Sequence, residues 1–344
     1  MFRYGKRVLP ALMALLLLAG CGSTGAQESS APSEDTSAEE TAVTQETVEE
    51  AFTDEVALED VVIEEEAVAL AGAPAVPTVL TPVASGKQVK KTDKAVIDYS
   101  NIADGYVMVQ YTASTTKKLK AQVKGPSGTT YTYNLTSGVW ATFPLSDGNG
   151  SYKVTVYENI SGTKYSTVTS VTFTAKLKNE FAPFLMPNQY VNFNSSSKTV
   201  AKAQELVGNQ SDVLKKVEGI YNYVVKNFTY DKQKAATVQS GYLPNVDAVL
   251  AAKKGICFDY AAVMAAMLRS QNVPTKLVVG YSGSIYHAWI SVYSEKTGWV
   301  DGAIYFDGTS WKLMDPTFAS SANQSKQIME YIGNGANYSA KYFY

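Results

Sequence analysis

The segment from Gly255 to Gly280 constrains the fold of this chain more than any other. It reads as a glycine, a cysteine, an apolar helical pattern, a turn and a strand. Gly255 fits the end of a preceding helix, and Pro274 fits the end of this one. Apolar residues recur at three- and four-residue steps, the spacing of a helix with a buried face: Phe258, Ala261, Ala262, Ala265 and Leu268. We therefore predict a helix that begins at or near Cys257, followed by a strand over 276–281.

Cys257 is the only thiol outside the N-terminal signal. The chain has two cysteines, and Cys21 ends an export signal, so the rest of the chain cannot form an internal disulfide. In the first turn of a helix, unpaired N–H groups and the positive end of the dipole favour a thiolate. A nucleophile and a small buried hydrophobe both explain such a cysteine, and this segment alone leaves both readings open.

Residues 1–20 have the pattern of a signal peptide. Three basic residues are followed by the apolar run Val8 to Leu18, which is too short to span a bilayer. The run ends in Leu18-Ala19-Gly20-Cys21, which resembles the lipobox of bacterial lipoproteins. That resemblance implies removal of the signal, acylation of Cys21 and an extracytoplasmic protein whose Cys21 lipids anchor it to the cell membrane. The alternative is an ordinary cleaved secretory signal.

Residues 21–86 are predicted to form an acidic, disordered tether. Fifteen acidic residues lie between Gln27 and Glu66, and no Lys or Arg occurs between Arg7 and Lys87. Elsewhere the chain has 17 acidic residues against 27 basic ones outside the signal, a balance of about +10. This charge suits anionic polymers of the cell envelope as partners. In an alternative reading, the acidic segment folds back and masks the basic body.

Residues 87–176 are predicted to form an all-β sandwich of immunoglobulin type. Short β-branched or aromatic segments alternate with turn residues, and the strands are expected at 95–99, 106–111, 119–123, 131–135, 152–157 and 168–173. A spacer, an adhesion module and a substrate-presenting module all fit this stretch, which contains no His or Cys.

Residues 177–200 are an irregular connector, and helical patterning begins in 201–344. We predict one helix capped by Ser211 with a long apolar stripe, and a shorter helix capped by Asn245 or Asp247 that ends at Gly255.

A strand over 286–293 follows and contains His287, the single histidine of the chain. Alternation places His287, Trp289 and Ser291 on one face and Ala288, Ile290 and Val292 on the other. Two more strands, around 299–306 and 311–314, are joined by a turn at Asp307-Gly308.

Three motifs together resemble the core of the transglutaminase-like superfamily, over roughly 201–318. They are Gly255-Ile256-Cys257-Phe258-Asp259-Tyr260-Ala261, His287-Ala288-Trp289, and Trp311-Lys312-Leu313-Met314-Asp315-Pro316-Thr317. Tyr230-Asp231 and the run from Val278 to Tyr281 match the flanking pattern. The resemblance implies an α+β, papain-like fold in which helices pack on an antiparallel sheet, preceded here by the sandwich.

The resemblance also implies a Cys-His-Asp triad acting on peptide amides through a thioester. Cys257 is the expected nucleophile, His287 the base and acid, and Asp315 the carboxylate that orients the imidazole. Asp301 is a rival for that last role. A capping role is favoured for Asp259, and Trp289 either lines the cleft or packs. The N–H of Cys257 is expected in the oxyanion hole.

A hydrolase of peptides, including cell-wall peptides, is favoured over a cross-linking enzyme. No cofactor, metal site or nucleic-acid partner is expected. Two other functions stay open: a non-catalytic envelope lipoprotein that binds peptides or wall fragments, and a structural spacer.

Overall fold

The computed structural model describes residues 77–300, 305–306, 311–312, 317 and 335–344. The predicted signal peptide, Cys21 and most of the predicted tether lie outside the described residues. Asp315, its rival Asp301 and the turn at Asp307-Gly308 also lie outside them. Those predictions therefore stay predictions.

The first part of the described chain contains two antiparallel sheets of four strands each. One sheet has the order β1-β2-β3-β6 and the other β5-β4-β7-β8. The strands are β1 (Val89–Lys91), β2 (Ala95–Asp98), β3 (Tyr106–Tyr111), β4 (Leu119–Lys124), β5 (Thr130–Leu135), β6 (Trp140–Pro144), β7 (Gly150–Ser161) and β8 (Lys164–Ala175).

The alternating residues of both sheets point into one buried cluster. Ile97 and Val109 from the first sheet and Ala121, Val154 and Val156 from the second are each fully or almost fully buried in it. Each predicted strand segment in this part is confirmed as a strand. Two strands were not predicted, β1 and β6. β6 was missed because Trp140–Pro144 ends in a proline, which is uncommon in strands, and its pairing with β3 is what makes it a strand.

Helices and short strands follow the connector. They are α1 (Lys198–Val207), α2 (Val213–Asn227), β9 (Thr229–Tyr230), α3 (Lys232–Thr237), α4 (Val246–Ala252), β10 (Lys254–Gly255) and α5 (Cys257–Ser270). Two predicted boundaries are wrong by a few residues. Asp212, not Ser211, caps α2, and its side chain accepts the N–H groups of Leu214 and Lys215. α4 ends at Ala252, and the residue that caps it is Lys253 in a left-handed conformation (φ 49°), not Gly255.

A third antiparallel sheet of four strands packs against α5. Its order is β13-β12-β11-β16, formed by β11 (Thr275–Ser282), β12 (Ile285–Ser294), β13 (Gly298–Val300) and β16 (Tyr338–Phe343). A separate antiparallel pair, β14 (Tyr305–Phe306) with β15 (Trp311–Lys312), agrees with the predicted pairing. The single strand predicted over 299–306 is wrong in part, because its first residues belong to β13, which pairs with β12 in the other sheet. The described residues are thus a mixed structure of helices packed on an antiparallel sheet, next to two all-β sheets.

Aromatic contacts join the two parts into one compact unit. The ring of Tyr133 in β5 lies 5.7 Å from that of Tyr190 in the connector, and Tyr131 lies 5.6 Å from Tyr344, just after β16. The proposed domain limits at 176 and 201 stay a prediction, since the buried cluster runs continuously across them.

Candidate active site

Cys257 is the first residue of α5, as the sequence predicts. Its thiol is free and half-buried. The residues after it, from Asp259 to Ser270, are all buried, so α5 is enclosed on every side by other elements. Small side chains at Ala261, Ala262 and Ala265 let those elements approach closely. The helix therefore holds the thiol in one place, next to unpaired helix N–H groups that favour an anion.

Asp259 caps the N-terminus of this helix. Ile256, the N-cap, has no side-chain acceptor, and the Asp259 carboxylate instead accepts the N–H of Ile256 at 2.9 Å. The carboxylate is fully buried and also accepts from Lys234 Nζ (2.5 Å) and from the Tyr242 hydroxyl (2.6 Å). The capping role expected for Asp259 is therefore the one found.

Lys234 and Tyr242 were not identified from the sequence. Lys234 lies on α3 with its Nζ 4.2 Å from the centre of the Tyr242 ring, and Tyr242 lies in the loop before α4. Burial, reinforced by the hydrogen bond to Asp259, raises the pKa of Tyr242 well above its usual value. Lys234 precedes Asp259 by 25 positions and Tyr242 precedes it by 17, and no local sequence pattern predicts contacts over such separations.

His287 lies on β12 and is almost completely buried. In the pairing of β11 with β12, its partner is Gly280. The rings of Trp289 and Tyr338 lie 6.2 Å and 6.5 Å from the imidazole, and they lie 5.2 Å from each other. These three rings share one face of the sheet. Ala288, Ile290 and Val292 belong instead to the buried cluster that includes α5, so the predicted alternation along the strand is confirmed.

Cys257 and His287 lie at the same end of the helix–sheet layer. α5 has 14 residues and is about 20 Å long, and β11 returns along it after a short turn. The Arg269 Nε donates to the Thr275 carbonyl, which places the start of β11 beside the C-terminal end of α5. Five residue steps of about 3.3 Å then bring β11 to Gly280, close to the level of Cys257.

The elements that carry the two side chains pack on each other. α5, which begins at Cys257, lies against β12, which carries His287. Asp315, the expected third member of the triad, lies outside the described residues. Thr317, two residues after it, has a buried side chain.

Aromatic residues surround the beginning of α5. The ring of Phe258 lies 5.5 Å from Tyr190, and Tyr190 lies 4.5 Å from Tyr344. On the β11–β12 hairpin, Tyr281 and Tyr286 form an edge-to-face pair at 5.5 Å, and each is more than a third exposed. Phe258 and Tyr190 thus offer aromatic contact area at the start of α5, and Tyr281 and Tyr286 offer exposed aromatic area on the hairpin.

Two further features bear on the expected partners. Within the described residues, no three His, Cys, Asp or Glu side chains converge in a way that could hold a metal ion. In that same part of the chain, we find no helix of the length and apolarity needed to cross a membrane.

Residues 200–302 match the model of the transglutaminase-like superfamily core. The resemblance inferred from the motifs is therefore confirmed for this segment, which contains Cys257 and His287 and ends before Asp315. The segment covers less than a third of the chain.

Comparison with curated proteins finds YebA of Bacillus subtilis (strain 168), described as uncharacterized. The two are 30% identical over 118 residues, which cover 28% of this chain and 16% of YebA. The matched part is thus about a sixth of the length of that relative.

Solved structures with detectable similarity include a candidate cysteine protease from Cytophaga hutchinsonii, with a TM-score of 0.35 and 16% identity over 70% of this chain and 76% of that one. A candidate protease from Parabacteroides distasonis has a TM-score of 0.25 and 11% identity over 58% and 62% of the two chains. The red sea bream transglutaminase has a TM-score of 0.28 and 14% identity over 64% and 49%. Scores of this size do not establish a shared fold across the whole chain.

Proposed function

We propose that the transglutaminase-like core of this chain is a cysteine enzyme that cleaves peptide amides, with Cys257 as nucleophile. The observation that carries the proposal is the position of the thiol. It is the first residue of an enclosed helix, and His287 lies at the same end of the adjoining sheet. A thiol that only filled core space would need neither the helix terminus nor a partly exposed residue.

The proposed reaction has two steps. The Cys257 thiolate attacks the amide carbonyl, the C–N bond breaks, and the imidazolium of His287 gives its proton to the leaving amine. His287 then removes a proton from water, the resulting hydroxide attacks the thioester, and the acid and the thiolate are released. Hydrolysis is proposed rather than cross-linking to an amine.

Asp315 is proposed as the carboxylate that orients the imidazole. The support is the family motif Asp315-Pro316-Thr317, together with the burial of Thr317. Asp301 remains its rival, because it also follows a tryptophan on a strand. Substituting each by Asn distinguishes them, since only the true partner should lower the rate by orders of magnitude.

We also propose that the protein is a lipoprotein anchored through Cys21 outside the cytoplasm, acting on peptides or cell-wall peptides near anionic envelope polymers. The two sheets of residues 89–175 are proposed to be an immunoglobulin-type sandwich, which is supported by their strand order and shared core. Cys21→Ala should move the protein from the membrane fraction to the medium.

The experiment for the enzyme is alkylation of the folded protein by iodoacetamide at neutral pH, with the modified peptide mapped by mass spectrometry. Cys257 should react faster than free cysteine, and His287→Asn should slow the reaction. Incubation with purified wall peptides should then release product that Cys257→Ala does not release. A thiol that stays inert until denaturant is added would refute the enzyme and favour a peptide-binding lipoprotein.

A further inference from the structure

We propose that the buried ion pair between Lys234 and Asp259 sets the charge environment of the Cys257 thiol, so that both are positioning residues for the nucleophile. The inference rests on the proposed function, in which Cys257 is the nucleophile. It concerns only the ionisation of that thiol, which can be measured without a substrate.

The carboxylate is held at the point where the nucleophile helix begins. Asp259 is two residues after Cys257, yet its side chain turns back and accepts the N–H of Ile256, the residue before the cysteine. A negative charge there opposes formation of a thiolate on the next residue. Lys234 supplies the compensating positive charge at 2.5 Å, and its side chain is only 27% exposed.

The third member, Tyr242, completes the hydrogen bonding of the carboxylate. Its hydroxyl donates at 2.6 Å, and its ring packs under the Lys234 ammonium at 4.2 Å. The loop that carries Tyr242 also approaches the first all-β part, because a Cβ on Gly241 would lie 2.6 Å from Asn134 Nδ2. The Asp259 carboxylate therefore has three donors at once: the Ile256 N–H, Lys234 Nζ and the Tyr242 hydroxyl.

The charge role predicts shifts of opposite sign for the two partners. Lys234→Met leaves the buried carboxylate uncompensated, so a higher pH is needed to form the thiolate. Asp259→Asn keeps an acceptor for Ile256 N–H but leaves the lysine charge, so a lower pH suffices. Because the carboxylate of the pair lies two residues after Cys257, we expect each single substitution to shift the thiol midpoint by about one pH unit. A purely structural cap predicts lower stability for both variants and no opposed shifts.

Other titratable groups lie on the elements around this helix end. They are His287 on β12, Tyr281 and Tyr286 of the hairpin, Lys254 on β10 and Tyr190 of the connector. None of these residues is changed in the variants, so a difference in the thiol midpoint between variants is due to Lys234 and Asp259.

The experiment is a pH titration of thiolate ultraviolet absorbance on the full chain, with each variant corrected by the same variant carrying Cys257→Ala. This signal reports ionisation whether or not the thiol is reactive. Lys234→Arg should retain the wild-type midpoint. The double variant Lys234→Met/Asp259→Asn should return close to it, and it leaves no unpaired buried charge that could prevent folding.

The matched control is Lys296 with Asp212, the same residue types paired at 2.6 Å at the N-cap of α2. Lys296→Met and Asp212→Asn should leave the thiol midpoint unchanged. Shifts in the same direction, or none, for Lys234→Met and Asp259→Asn would overturn the inference. An ordinary thiol midpoint with no effect of His287→Asn would instead refute the proposed enzyme, so the two failures are distinguishable.

Discussion

Gly280→Ala is expected to destabilise the sheet that carries His287. A Cβ at Gly280 would lie 2.1 Å from the Ser339 carbonyl oxygen and 2.9 Å from the Ala340 Cα, both main-chain atoms of β16. It would also lie 2.9 Å from the ring of Trp289. Rotating a side chain cannot relieve contact with main-chain atoms, so β16 has to move by about 1 Å to restore ordinary contact distances.

The magnitude follows from this forced movement. Overpacking costs about 1–3 kcal/mol, and weakening the hydrogen bonds beside the Gly280–Ala340 pair adds about 1 kcal/mol. The alanine reduces the entropy of the unfolded chain and returns up to about 1 kcal/mol. We expect a net loss of about 2–3 kcal/mol, which corresponds to a drop in Tm of about 5–10 °C for a body of this size.

The assay is thermal and urea unfolding followed by circular dichroism, with the Cys257 alkylation rate as a second readout. Gly219→Ala is the matched control. It lies within α2, and its Cβ would meet one side-chain methyl, Val207 Cγ1, at 2.7 Å and no main-chain atom of another element. The gain in helix propensity should offset that contact to within about 1 kcal/mol. Equal Tm values for the two variants would refute the argument from main-chain contact.

Arg269→Ala should lower the free energy of unfolding by roughly 3 kcal/mol, because the buried guanidinium donates to the carbonyls of Thr275, Met186 and Tyr344. Urea titrations measure this, and a loss below about 1 kcal/mol would contradict it. Glu158 has a pKa lowered to about 2, first by its hydrogen bond from Lys117, so the stability it contributes is present above about pH 4.5 and is lost as pH falls toward 2. Glu158→Gln should accordingly flatten the dependence of Tm on pH in that window, and an unchanged curve would show that the pairing contributes nothing. Asp247→Ala should cost about 1–2 kcal/mol in thermal melts, because this carboxylate accepts from the N–H and hydroxyl of Thr199 at the start of α1; Asp247→Asn should lose less.

Features that repeat along the chain were predictable. The three- and four-residue spacing after Cys257 identified α5 and its first residue, and alternation identified β12 and the face that carries His287. Motif spacing identified the transglutaminase-like core, which the match over 200–302 confirms. These predictions succeed because burial on one face imposes a local period on the sequence.

Elements that depend on distant partners were missed. β1 has only three residues and β6 ends in a proline, and both exist through their pairing with β2 and β3. The C-terminal cap of α4 at Lys253 was missed as well, since a lysine in a left-handed conformation has no local signature.

The sequence by itself determined which residues can do chemistry: one thiol at a helix start, one imidazole on a strand, and their order along the chain. Only the tertiary structure decided that Lys234 and Tyr242 contact Asp259 at the start of α5, and that position 280 must lack a side chain for β16 to pack beside it. The reason is physical. Periodic burial acts between residues a few positions apart, whereas charge pairing and close contact depend on distances set by chain segments far apart in sequence.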